Sequence, residues 1–186
     1  AVAILGERIV AVGSNADVEA WRGPNTHMMD AGGRLLLPGF NDAHVHFLSG
    51  GQQLDAVELN DATSPQEFAR RIGERAKKTA KGEWILGGDW DETKWSPAAM
   101  PTKELIDPVT GDIPVFVSRY DGHMSLANSA ALKLAGVTSA TPDPPGGRVV
   151  RDAQGNPTGA LKDAAMDYVY KIIPPMTHEQ RLHVAR

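Results

Sequence analysis

Short apolar runs and helix-start signals alternate through most of this chain, and that alternation leaves few folds open. Ser64-Pro65-Gln66-Glu67 opens a helix, with a capping Ser, Pro at the first helical position and Glu three residues after the cap. Phe68, Ile72 and Ala76 then share one face, and Gly82 ends the pattern. Trp84-Ile85-Leu86 follows as a short buried strand running into the loop Gly87-Gly88-Asp89-Trp90-Asp91. Pro114-Val115-Phe116-Val117-Ser118 is the next strand, ending in Arg119-Tyr120-Asp121-Gly122-His123. A helix is predicted from Ser125 to Ala135, with Gly136 as its stop. Strand followed by helix, repeated, implies an α/β fold with a parallel sheet and crossover helices.

Two hairpins break the alternation. Ala3-Ile4-Leu5 and Arg8-Ile9-Val10-Ala11-Val12 flank Gly6-Glu7, where Gly suits a two-residue turn. Val149-Val150-Arg151 and Thr158 to Leu161 flank Gln154-Gly155-Asn156. Ser14 to Ala20 reads as a short helix, and Asp163 to Ile173 as a helix closed by Pro174-Pro175. Only two or three strand–helix units are visible, too few for an eight-stranded barrel. The chain opens directly inside a strand pattern, and the helix started by the capping box Thr177-His178-Glu179-Gln180 still runs at Arg186 without a stop. Both features predict a piece of something longer.

At 186 residues and 41% hydrophobic content, the chain can bury a core of little more than one domain. A net charge of −4 argues against nucleic acid as the main partner, because phosphate-binding domains carry a basic excess. The absence of Cys excludes disulfides, a Cys-ligated zinc and a thiol nucleophile. No apolar run approaches the roughly 20 residues of a membrane helix, so no membrane partner is expected, and the cytoplasm is the default location.

Asp42-Ala43-His44-Val45-His46 is the most informative stretch. On a strand, residues two apart face the same side, so His44 and His46 can aim both imidazoles at one ion. The run Leu35-Leu36-Leu37-Pro38-Gly39 places the pair at the end of a buried strand, where α/β sheets keep their sites. The competing reading is two chance histidines on a half-exposed strand end. Two ligands do not complete a zinc site, which takes three or four. His123, carboxylates or a modified Lys would have to supply the rest, or chain beyond this sequence.

Gly33 through His46, with Pro38-Gly39-Phe40 and then Asp42-x-His44-x-His46, resembles the strand-one signature of the amidohydrolase superfamily of metal-dependent hydrolases. Gly87-Gly88-Asp89-Trp90-Asp91, Asp121-Gly122-His123 with Asn128-Ser129-Ala130-Ala131-Leu132, and Gly155 through Ala165 are similar to one branch, amidohydrolase family 3, which includes N-substituted formamide deformylases. The resemblance covers most of the chain. It implies a small β-sandwich around a metal-bearing (β/α)8 barrel, with residues 1–34 belonging to the sandwich. Residues 35–186 would be the first part of the barrel, with a hairpin inserted near 146–162. The family's later ligands, two histidines and an aspartate on downstream strands, have no counterpart here.

The resemblance also implies hydrolysis of a C–N bond other than a peptide bond, amide- or formamide-like. One or two divalent ions, zinc first among them, would activate the attacking water. His44 and His46 would be ligands, with Lys162 or Asp163 as a further one. Adjacent residues on a strand face opposite sides, so only one of that pair should reach the metal. His123 and Asp121 would contact a small-molecule substrate, and Trp90 and Asp91 would line its pocket. Asp42 is expected to hold loop backbone through its carboxylate. Two other classes compete: a non-catalytic piece that self-associates into a homo-oligomer through exposed sheet edges, and a different metalloenzyme such as an iron oxygenase.

Overall fold

Fifteen helices and strands, with two short 3-10 turns, make up the computed structural model, which describes residues 1–185. The chain divides into two units, residues 1–44 and 45–186. In the first, β1 (Val2–Leu5) and β2 (Arg8–Val12) pair antiparallel around Gly6-Glu7, as the sequence predicts. Helix α1 (Asn15–Glu19) follows; Ser14 accepts from the Asp17 N–H while the Asp17 carboxylate accepts from the Ser14 N–H, which closes a capping box.

The predicted strand at Leu35-Leu36-Leu37 does not form, and these side chains are 82%, 66% and 54% exposed. Neither sheet takes the run in, and an apolar segment without a hydrogen-bonding neighbour has no ladder to join. Buried apolar residues begin only at Val57.

The second unit opens with α2 (Phe47–Asp55) and is built on one six-stranded sheet. Its strands are β3 (Val57–Glu58), β4 (Gly87–Trp90), β5 (Phe116–Arg119), β6 (Met124–Ala127), β7 (Gly147–Arg151) and β8 (Pro157–Asp163), ordered β3-β4-β5-β6-β8-β7. β3, β4 and β5 run parallel, whereas β6 is antiparallel to both β5 and β8, and β7 is antiparallel to β8. The sheet is therefore mixed rather than parallel. Since β6 opposes both neighbours, β8 runs in the same direction as β5. The carboxyl ends of β4, β5 and β8 and the amino end of β6 consequently share one edge.

Two strand assignments differ from the sequence reading. Ile85 makes only an isolated bridge to Val115, and the strand proper is Gly87–Trp90, which the sequence marks as a loop. Met124–Ala127 is a central strand rather than the first turn of a helix. Its neighbours β5 and β8 supply ladders on both sides, and those outweigh the helix propensity of Met, Leu and Ala.

Helices cover both faces of this sheet. Val115, Val117, Met124, Leu126 and Ala160 pack with Phe68, Ile72 and Ala76 of α3 (Pro65–Ala76) and Ile106 of α4 (Lys103–Thr110). Phe116, Ala127, Val149 and Leu161 face the other way, toward Ala131 and Leu132 of α5 (Ser129–Leu134) and Val169 of α6 (Asp167–Tyr170). The period of two along β5 and β8 thus sorts their side chains between two cores. Helix α3 starts as predicted, with Ser64 accepting from the Glu67 N–H at 3.2 Å. The predicted helix over Asp163–Ile173 is broken into a 3-10 turn at Ala164–Met166 and the single turn of α6.

Helix α7 (His178–Val184) keeps the Thr177 capping box. The expectation that it runs on at Arg186 lies outside the described residues. The outer edge of β7 is partly covered: the Val149 N–H donates to Asp143 Oδ1 at 2.9 Å, and Arg151 pairs with the same carboxylate. No helix among the described residues is long and apolar enough to cross a membrane.

Candidate functional site

The shared edge of β4, β5, β6 and β8 gathers most of the polar residues that the sequence singles out. Because β6 and β8 are in register at Met124↔Lys162, the residues just past that pair, His123 and Asp163, come together. The Asp163 N–H donates to the His123 carbonyl at 3.0 Å. Asp163 Oδ1 lies 2.9 Å from His123 Nδ1, so the carboxylate accepts and places the ring proton on Nδ1. Asp163 has φ +48°, a left-handed conformation that costs a non-glycine residue strain. The imidazole is 76% exposed.

Asp121 backs this pair. Its Oδ1 accepts from the His123 N–H at 3.0 Å, and its other oxygen is paired with Arg119. Arg119 forks in turn onto Glu92, with both contacts at 2.8 Å and both side chains under 15% exposed. A planar guanidinium bound by two carboxylates holds its proton more firmly, and the Arg119 pKa is raised, led by the Glu92 hydrogen bonds. Burial pushes the Asp121 carboxyl up, but the His123 N–H and the Arg119 guanidinium outweigh it and hold the group below its ordinary 3.8.

A carboxyl with a depressed folded-state pKa stabilises the fold above its unfolded value, and that contribution is lost as pH falls through the folded one. The β5–β6 turn is therefore expected to loosen only below pH 3.8, with neutral solution leaving it intact. Amide exchange at His123 measured across pH 2.5 to 6 (roughly, to bracket carboxylate titration) checks this. Protection that is flat through the acid range would contradict it.

Trp90, expected to line a substrate pocket, is instead fully buried. Its ring packs edge-on to Phe68 at 6.1 Å and beside Trp95 at 6.4 Å, and its Nε1–H donates to the Val117 carbonyl at 3.2 Å. Position 90 ends β4 on the side facing α3, so the aromatic goes to the core. Asp91 caps a 3-10 turn: its Oδ1 accepts from the Thr93 N–H at 3.0 Å and hydroxyl at 2.6 Å. Lys162 lines a cavity with Arg148 on the α4 side, whereas Asp163, at the end of β8, pairs with His123.

The histidine pair sits differently from its expected strand. His44 ends the first unit, and His46 lies at the start of the second as the N-cap residue of α2. Asp42 behaves as predicted, its Oδ1 accepting from the His44 N–H at 3.0 Å. Among the described residues no three His, Cys, Asp or Glu side chains form a group able to hold a metal ion. The donors described thus fall short of a closed metal site. Arg119 and Glu92, which tie the edge together, are not among the residues that the sequence singles out. The spacing Arg119-x-Asp121 ahead of His123 is the signal that could expose the first.

A family model for the amidohydrolase family matches residues 27–186. The chain belongs to that family. Protein LONG AFTER FAR-RED 3 of Arabidopsis thaliana is 39% identical over 97% of this chain, and the match covers 31% of that protein. The N-substituted formamide deformylase of Arthrobacter pascens is 32% identical over 91% of the chain, covering 32% of the enzyme. Among solved structures, a metal-dependent hydrolase from Pyrococcus horikoshii OT3 superposes with a TM-score of 0.56 at 26% identity, over 77% of this chain and 26% of that one. The chain therefore spans about a third of the length of these relatives.

Proposed function

We propose that this chain is part of a metal-dependent hydrolase of the cytoplasm that cleaves a C–N bond other than a peptide bond, in an amide- or formamide-like small molecule. His44 and His46 are two of its metal ligands, zinc being the first candidate ion. Residues 35–186 are the first part of its (β/α)8 barrel, with a hairpin inserted near 146–162, and residues 1–34 belong to a small β-sandwich. The observation that carries the reading is the family match running through Asp42-Ala43-His44-Val45-His46. The Asp42 carboxylate is taken up by backbone there, so the two imidazoles are the metal-type donors of the stretch.

His123 is the residue of this chain that faces substrate. A carboxylate on Nδ1 fixes its ring, and the exposed Nε2 can then accept a hydrogen bond or a proton. Asp121 and Arg119 hold the turn that presents it. Because the described donors are incomplete, the chain by itself is expected to be inactive.

Metal analysis of the complete gene product, with hydrolysis of an N-substituted formamide as the assay, tests the proposal. His44→Ala with His46→Ala is expected to remove bound metal and activity together. Unchanged metal content in that double variant would sink the ligand assignment, whereas full metal content without hydrolysis of any amide or formamide would sink the substrate class.

A further inference from the structure

On the α4 side of the sheet, Lys162 stands in register with Arg148 across the β7–β8 ladder and with Met124 across the β6–β8 ladder. Like charges directly opposite each other in a sheet are destabilising, so this placement calls for a compensating group. Among the described residues neither Arg148 nor Lys162 has an ion pair, and Arg148 is exposed to solvent while Lys162 is half-buried. Asp143, the carboxylate whose charge Arg148 feels, is already bound by the Arg151 guanidinium and the Val149 N–H, each at 2.9 Å.

The two cations line a cavity of about 180 Å³ whose other walls are Met100, Met124, Val150 and Ala160. Four apolar side chains beside two cations describe a particular kind of guest. The guanidinium fork matches a carboxylate in two parallel hydrogen bonds, and the ammonium adds a point charge beside it. The apolar walls strengthen the contact to the half-buried Lys162, whereas the contact to the exposed Arg148 is screened by water. The cavity is small and open to solvent on one side, so the apolar part of the guest is about one ring or a short branched chain.

We propose that Arg148 and Lys162 form a binding site for a small monocarboxylate carrying one compact apolar group. The site uses neither histidine of the pair, and it takes Lys162 as an anion-binding residue rather than as the further metal ligand that the family resemblance allows. Benzoate is the probe, and benzyl alcohol is its uncharged counterpart. In the chain labelled with 13C at its methionine methyls, benzoate shifts the Met100 and Met124 signals saturably, and benzyl alcohol leaves them in place. Arg148→Gln and Lys162→Met each weaken benzoate binding by about tenfold or more, the loss of one charge-assisted contact.

Lys162→Met also removes the like-charge opposition, so its thermal midpoint is expected to be no lower than that of the parent chain. Loss of binding in that variant then reports the site and not unfolding. Equal shifts with benzyl alcohol, equal affinity in either variant, or no saturable shift at all would overturn the proposal. Displacement of benzoate by sulfate at matched concentration would overturn the apolar half of it, leaving a plain anion patch.

Discussion

Alanine at Gly159 is expected to lower the stability of the second unit by about 3–4 kcal/mol, at the upper end of what one substitution does. Gly159 lies in β8 with φ +99°, and a Cβ there would sit 2.4 Å from the Ala127 carbonyl oxygen and 3.0 Å from Lys103 Cβ. The first neighbour is backbone of the adjacent strand and cannot move aside without opening the β6–β8 ladder. Gly155 separates the two contributions. It has φ +86°, and a Cβ there would have nothing within 4 Å, so alanine meets backbone strain alone, about 1 kcal/mol. Urea unfolding of both variants reads the difference directly, and equal midpoints would show that the clash with Ala127 is relieved.

Asn128→Ala is expected to cost about as much, roughly 3–5 kcal/mol, for a different reason. The Asn128 side chain is fully buried and all four of its hydrogen-bonding positions are used. Oδ1 accepts from the Val115 N–H at 3.0 Å and the Ala131 N–H at 2.9 Å, while Nδ2 donates to Thr110 Oγ1 at 2.9 Å and the Ile113 carbonyl at 2.8 Å. One residue therefore caps α5, ties it to the residue leading into β5 and fastens the end of α4. Alanine removes the cap and strands several buried partners, each costing about 1–3 kcal/mol when left unmade. Serine restores only the cap and should recover about 1 kcal/mol. A thermal midpoint within a degree of the parent for Asn128→Ala would refute this account.

In the sequence, Asn128-Ser129-Ala130-Ala131-Leu132 is a family feature without a role. Its role is structural, and it is invisible from the sequence because Thr110, Ile113 and Val115 lie 13 to 18 residues away. His123 and Asp163 are a similar case. Each stands out in the sequence, one as a strand-end histidine and one as an alternative ligand. Their pairing needs β6 and β8 to be neighbours, whereas the residues of β6 read as helix. Trp90 is expected in a loop, as a wall of the substrate pocket, yet the glycines before it belong to β4, and the strand carries the ring into the core beside Phe68.

What the sequence by itself determined are the features whose causes lie within about four residues. Ser64, Ser14 and Thr177 cap helices because the hydroxyl reaches an N–H three residues on. Phe68, Ile72 and Ala76 are buried because a helix brings every fourth residue to one face. Gly6-Glu7 turns a hairpin, and Asp42 holds the His44 backbone, through equally short reaches. The tertiary structure alone decided the mixed direction of the sheet, the burial of Trp90, the His123–Asp163 pair and the confrontation of Arg148 with Lys162. Each of these depends on which strand lies beside which and in what register, and register is set by the packing of whole faces and not by any residue's own preference.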